Sequence, residues 1–209
     1  FQWALIIFIL LSTFYFLNSL FRIWRADKAF ALGYNLEKAG DYATAYQHFH
    51  QAFSLNKNEP FYWDEFSHNA AVLAVATFQE NQATLSGQLL KEAQIASDKA
   101  VSASPKNVNF WKTRTKVFYT LSALDLKYNQ EALEAISEAK KLAPTDAKVS
   151  YNLGLLYGLA GRSDLALKTL EETVALKPNY PDARYALALY LWEAGRTQEA
   201  IEQLEYILE

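Results

Sequence analysis

The sequence predicts an all-α chain, an array of helical hairpins preceded by one long apolar N-terminal helix. Three observations carry this. Similar residues recur at an offset of 34 near the C-terminal end, pairing Leu153 with Leu187, Gly161 with Gly195, Ala166 with Ala200 and Leu170 with Leu204. Within each copy the apolar residues follow helical spacing, and a two-helix unit of this period must stack on a neighbour to bury its apolar face. Residues 1 to 21, FQWALIIFILLSTFYFLNSLF, contain no charged side chain.

The apolar run comes first. A helix of 20 residues spans about 30 Å, the thickness of a bilayer core. Trp3, Ile6, Ile7, Leu10, Phe14, Leu17 and Phe21 are its membrane-facing or assembly-facing residues. Trp3, Phe21 and Trp24 lie near the two ends, where aromatic side chains favour the membrane interface. Arg22, Arg25 and Lys28 follow at once and, for a lone helix, would place the repeats on the cytoplasmic side. A secretory signal is disfavoured, because the basic residues follow the apolar run and no small-residue cleavage site does. A very apolar core helix capping the repeat stack is the alternative. The expected division is therefore an apolar transmembrane-like or assembly helix over 1–25 and a solenoid of five repeats over 26–209.

The repeats are expected at 26–59, 60–107, 108–146, 147–180 and 181–209. In the first, Gly33, Ala45, Phe49 and Ala52 take packing positions, Gly40 makes the turn and Asp41 caps the second helix. It starts so close to the apolar run that its first helix reads as a direct continuation of that run. The second repeat, with Trp63, Ala93 and Ala100 in its pattern, exceeds the period by 12 residues when counted from Pro60 to Pro105. Longer helices or a protruding loop would absorb them, which makes residues 76–90 the expected place for specialised contact. The third, from Pro105 to Pro144, packs through Trp111 and Ala132 and carries an insertion around LSALDLKYNQE. The last two are regular: Leu153, Gly154 and Tyr157 mark a first helix, Ser163 or Asp164 can cap the second, and Ala166 and Leu170 pack it. Leu187, Ala200 and Leu204 repeat the pattern.

YNLGLLYGLAGRSDLALKTLEETVALKP and YALALYLWEAGRTQEAIEQLEYIL resemble the tetratricopeptide repeat (TPR) family at Leu153, Gly154, Tyr157, Ala166, Leu170 and Pro178. In the last copy Arg184, Ala188 and Leu191 depart from the preferred Trp, Gly and Tyr. The resemblance implies a TPR-type helical-hairpin solenoid that binds protein through its concave groove or stacked ends. RIWRADKAFALGYNLEKAGDY and NVNFWKTRTKVFYTLS are also similar to the C-terminal region of bacterial O-antigen ligase or polymerase-like membrane glycosyltransferases. That likeness implies a catalytic membrane domain upstream and a partner-binding role for the repeats. An uncharged helix beginning at Phe1 also resembles a processed pilin, with Leu5 where many bacterial pilins carry glutamate. The pilin likeness implies an extracellular filament of bundled apolar helices.

Composition narrows the chemistry. The chain has 209 residues, 51% of them hydrophobic, which is too apolar for a disordered segment. A net charge of -3 offers no electrostatic case for nucleic acid. Without cysteine there is no disulfide, thiol nucleophile or zinc-thiolate site. The absence of methionine, even at position 1, fits a chain that starts after a cleavage or belongs to a longer product. His48 and His50 are two apart on a helix and do not form the i, i+4 pair of a zinc site, and His68 lies elsewhere. Asp64-Glu65 and Glu171-Glu172 read as solvated helix faces. No phosphate loop, nucleophile elbow or dinucleotide fingerprint is present. The expectation is a non-enzymatic interaction or assembly module with no catalytic, cofactor or metal residues. Its partners would be protein, either copies of itself or another membrane-assembly component, together with lipid or bundled apolar helices.

Overall fold

The computed structural model describes residues 2–208, so the reading of Phe1 as a processed terminus lies outside the described residues. Among these residues the chain forms ten α-helices and no strand. It divides into two compact units, Phe1–Ala100 and Val101–Glu209.

In the first unit, α1 (Gln2–Lys38) runs without a break from the apolar segment into the first hairpin. Its buried residues are Ala26, Ala29 and Gly33. These small side chains let α1 lie close to α2 (Tyr42–Leu55), whose Ala45, Phe49 and Ala52 are fully buried. A Cβ on Gly33 would come within 3.2 Å of both the Ala45 carbonyl oxygen and Phe49 Cδ1. The turn uses Gly40 at φ 87°, a left-handed conformation that suits glycine. Asp41 then caps α2 by accepting from the Thr44 N–H at 3.1 Å.

The second hairpin is α3 (Pro60–Gln79) and α4 (Ala83–Ala103). Its extra length lies in the helices, which have 20 and 21 residues, so the protruding loop considered for residues 76–90 does not occur. Only residues 80–82 separate them, and Asn81 at φ 63° does the work of the turn glycine. Ser86 closes the hairpin by donating its hydroxyl to the Ala74 carbonyl at 2.7 Å. Ala93 and Ala100 are buried on α4. Half-buried Trp63 stacks on Phe53 at 4.1 Å, with the Lys99 ammonium 3.9 Å from its ring centre.

The second unit contains α5 (Val108–Leu121), α6 (Tyr128–Leu142), α7 (Ala147–Leu159), α8 (Ser163–Leu176), α9 (Pro181–Glu193) and α10 (Thr197–Leu208). Gly161 and Gly195 make the last two hairpin turns at φ 71° and 76°. The expected side-chain cap on α8 is absent. Arg162 takes the cap position without a side-chain hydrogen bond, while Ser163 and Asp164 already lie in the first turn. Ala132, Leu153, Gly154, Ala166, Leu170, Leu187 and Ala200 are buried, whereas Trp111 and Tyr157 are half-buried. A Cβ on Gly154 would stand 3.0 Å from Leu170 Cγ, which explains the glycine. Leu204 departs from the packing role expected of it and is 40% exposed. Its counterpart Leu170 is covered by α9, and no described helix follows α10 to cover Leu204.

From the second hairpin onward, the start of each is tied to the preceding loop in a recurrent way. Trp63 donates its indole N–H to the Lys57 carbonyl at 3.0 Å, and Trp111 donates to Pro105 at 2.8 Å. At the equivalent place in α9, Arg184 Nε donates to the Pro178 carbonyl at 2.7 Å. In α7 this position is Ser150, too short to reach, and Lys140 Nζ supplies the bond to the Pro144 carbonyl at 2.7 Å.

Candidate partner-binding groove

A cavity of about 430 Å³ in the second unit is lined by residues of the first helices of its three hairpins. From α5 come Lys112, Thr115, Lys116 and Tyr119, and from α7 come Asn152, Leu155, Leu156 and Leu159. Both sets follow i, i+3, i+4, i+7 spacing, which puts four side chains on one helix face. Tyr190 of α9 completes the lining. Thr115 and Leu156 are buried at the floor, while Lys116, Tyr119 and Leu159 are exposed.

Tyr190 reaches the groove because Gly158 makes room for it. A Cβ at Gly158 would fall 1.5 Å from Tyr190 Oη. Sequence reasoning missed this glycine, although a glycine inside a helix costs about 1 kcal/mol relative to alanine and so calls for a reason. Burial, with the charge of Glu193 adding to it, raises the Tyr190 phenol above its ordinary value. At neutral pH the phenol is therefore uncharged and available as donor and acceptor.

The groove's charge is unequally committed. Lys112 Nζ lies 2.6 Å from Asp146 Oδ2, and Asp146 also caps α7 by accepting from the Lys148 and Val149 N–H groups. Burial alone would raise the Asp146 carboxyl, but Lys112 and these N–H groups hold it below its ordinary value. Lys116 has no ion-pair partner among the described residues. The lining thus combines a leucine surface with an ammonium group, an amide at Asn152 and a phenol, a set suited to a peptide with an apolar side chain and a nearby carboxylate.

Two other cavities are less suited to this. One of about 590 Å³, also in the second unit, is lined by Trp111, Arg114 and Phe118 beside Glu131, Glu134 and Glu138. One of about 350 Å³ in the first unit lies beside Phe53, Trp63, His50 and Glu92. None of the three is lined by residues 76–90.

The histidines do not converge. His68 Nδ1 is 2.7 Å from Glu37, and His50 is 3.9 Å from Glu92. Among the described residues no group of three or more His, Asp or Glu is placed to hold a metal ion. Glu171 pairs with Arg196 at 2.9 Å on the surface, but Asp64, read as part of a solvated face, is 3% exposed. It projects from α3 on the side that the neighbouring helices cover.

These stacked hairpins define a helical-repeat protein. Tetratricopeptide-repeat patterns match residues 147–180 and 181–205, the last two hairpins of the chain. No curated protein matches it in sequence. Among solved structures it is similar to MamA, with a TM-score of 0.63 and 19% identity over 84% of this chain and 92% of that one. It is also similar to PilF of Pseudomonas aeruginosa, with a TM-score of 0.62 and 19% identity over 90% and 77% of the two chains. YrrB, described as a TPR protein with an unusual peptide-binding site, gives 0.55 and 18% over 86% and 83%. At these identities the likeness is one of fold. None of these similarities points to an O-antigen ligase.

Proposed function

We propose that this chain is a non-enzymatic interaction module, held at a membrane by α1, that takes a partner peptide in the groove of α5, α7 and α9. The observation that carries the reading is the groove itself, where Leu155, Leu156 and Leu159 face Lys116, Asn152 and Tyr190. The peptide-binding site of YrrB, a protein of similar fold, supports it by analogy. Apart from Leu204, the packing residues singled out from the sequence, from Gly33 to Ala200, serve to hold the hairpins rather than to contact the partner.

The anchoring half of the proposal rests on α1. An 18-residue window of this helix has a mean hydropathy of 2.1, and none of it is buried. A photo-crosslinking residue at Asn152 or Tyr119, in the full chain expressed in its native membrane, should capture one defined protein partner. The same residue at Lys168, on the exposed side of α8, should capture none. Equal yields from all three positions would defeat the groove as the binding site, and so would a Lys116→Glu chain that still captures the partner from Asn152.

A second reading is favoured by the same exposed helix: copies of α1 bundle together and the hairpins assemble around them as a filament. Negative-stain imaging of detergent-free protein distinguishes the two, since uniform fibres support bundling and lipid-dependent dispersed particles support the anchor. The run of α1 straight into a hairpin also suits a partner-binding tail on a larger membrane glycosyltransferase. A longer reading frame upstream would be required for that role.

A further inference from the structure

Because α1 runs unbroken from its uncharged stretch into the first hairpin, the depth of one in a bilayer fixes the depth of the other. Gln2 to Phe21 is a run without charge whose helical length, about 30 Å, equals the hydrocarbon core it would span. That match leaves no slack, so Arg22 marks the hydrocarbon edge once α1 is in a membrane. The first residue of α1 buried in the hairpin is Ala26. At the helical rise it lies about 7 Å beyond that edge, and the headgroup layer on each side is itself roughly 5–8 Å deep. The near end of the hairpin therefore begins at the phosphates rather than above them.

Two contacts identify what else lies at that end. Tyr62 donates its hydroxyl to Asp27, and His68 Nδ1 is 2.7 Å from Glu37, so α3 starts beside Asp27 and runs in the same direction as α1. The Trp63 indole, bonded to the Lys57 carbonyl at 3.0 Å, holds the loop of residues 56–59 at the same level. Arg22, Arg25, Lys28 and Lys57 are exposed there, and none has an ion-pair partner among the described residues. The two carboxylates of these segments are engaged. Asp27 accepts from Tyr62, and Glu59 caps α3 by accepting from the Phe61 N–H at 3.3 Å. Four cations against two occupied carboxylates leave this end positive, at the depth where lipid phosphates lie.

We propose that this end of the first unit rests on the bilayer and binds the phosphates of anionic phospholipids through Arg22, Arg25, Lys28 and Lys57. The inference rests on α1 being a membrane anchor, and it adds a posture to that anchor. The far end of α3, about 25 Å along the helix from Tyr62, is held away from the lipid.

The chain has no cysteine, so a fluorophore can be placed at one position at a time through Asn58→Cys or Gln79→Cys. Each labelled full chain is reconstituted in vesicles of phosphatidylcholine and phosphatidylglycerol, with a quenching nitroxide on one lipid or the other. Quenching should be severalfold stronger at position 58 than at position 79. At position 58, nitroxide-bearing phosphatidylglycerol should quench more than nitroxide-bearing phosphatidylcholine at the same fraction. That preference should fall with added salt. It should vanish when Arg22→Gln, Arg25→Gln, Lys28→Gln and Lys57→Gln are combined, while the chain still floats with the vesicles because its apolar run is untouched. Flotation with equal quenching at the two positions, or with no preference between the two lipids, overturns this proposal and leaves the anchor standing. A preference that survives the combined substitutions overturns it as well. A chain that does not float defeats the anchor and this proposal together.

Discussion

At the residue scale, two glycines show how packing decides what a substitution does. Gly154 and Gly87 both lie inside helices. A Cβ on Gly154 would meet Leu170 at 3.0 Å, whereas one on Gly87 would meet nothing within 4 Å. Gly154→Val should destabilise the second unit by about 1–3 kcal/mol through overpacking. Gly87→Ala should stabilise the protein by roughly 0.5–1 kcal/mol, since glycine is the poorer helix former. Urea unfolding read by circular dichroism checks both signs. Arg184 makes a related point. It replaces the tryptophan that reaches the preceding loop, and it also donates to Gln203 and stacks on the Tyr206 ring at 3.4 Å. Arg184→Ala should cost about 1.5–3 kcal/mol, because the charge-assisted hydrogen bonds from the guanidinium to the Pro178 carbonyl and Gln203 are lost. Arg184→Trp should restore part of the loss by supplying an indole N–H to Pro178. If the two variants unfold at the same urea concentration, the loop tie is not what Arg184 contributes.

At the element scale, α7 depends on a cap that titrates. The Asp146 carboxyl lies below its ordinary value in the folded chain, so its contribution is present above the unfolded value near 3.8 and is lost as pH falls through the lower folded value. Asp146→Asn keeps a capping side chain and removes the charge facing Lys112. Between about pH 5 and pH 3 the wild type should therefore lose stability more steeply than the variant. Parallel pH profiles would show that the Lys112 pair contributes nothing. The elements also differ in how readable they were. The turn at Gly40 and the cap at Asp41 announce themselves, because glycine and aspartate act through their own backbone neighbourhood. The turn at Asn81 has no glycine, and the cap of α8 has no side-chain bond, so local chemistry does not reveal either. Lys140 standing in for a tryptophan at Ser150 is invisible in the sequence, since the two residues come from different helices.

At the scale of the whole molecule, α1 sets the environment the chain requires. Its exposed apolar surface is continuous around the helix, from Trp3 to Trp24, and a surface of that size is not left in water. The full chain is expected in the membrane fraction and should resist carbonate extraction. Leu10→Arg with Phe14→Arg should release it, at a cost of roughly 2.5–3.5 kcal/mol for each charge near the helix centre. A double variant that stays in the membrane pellet would mean that something other than α1 holds the protein there.

The all-α class, the two regular C-terminal repeats and the apolar character of the first helix are legible in the residues alone. Each of these follows from periodicity and composition, which need no knowledge of what lies across a gap. Long-range packing set the rest: Gly158 makes room for Tyr190, Lys116 has no ion-pair partner among the described residues beside Leu155 and Leu156, and Leu204 is exposed where Leu170 is buried. Those facts depend on contacts between residues far apart in the chain, and equal residues at equal repeat positions become core or surface according to whether another helix arrives to cover them.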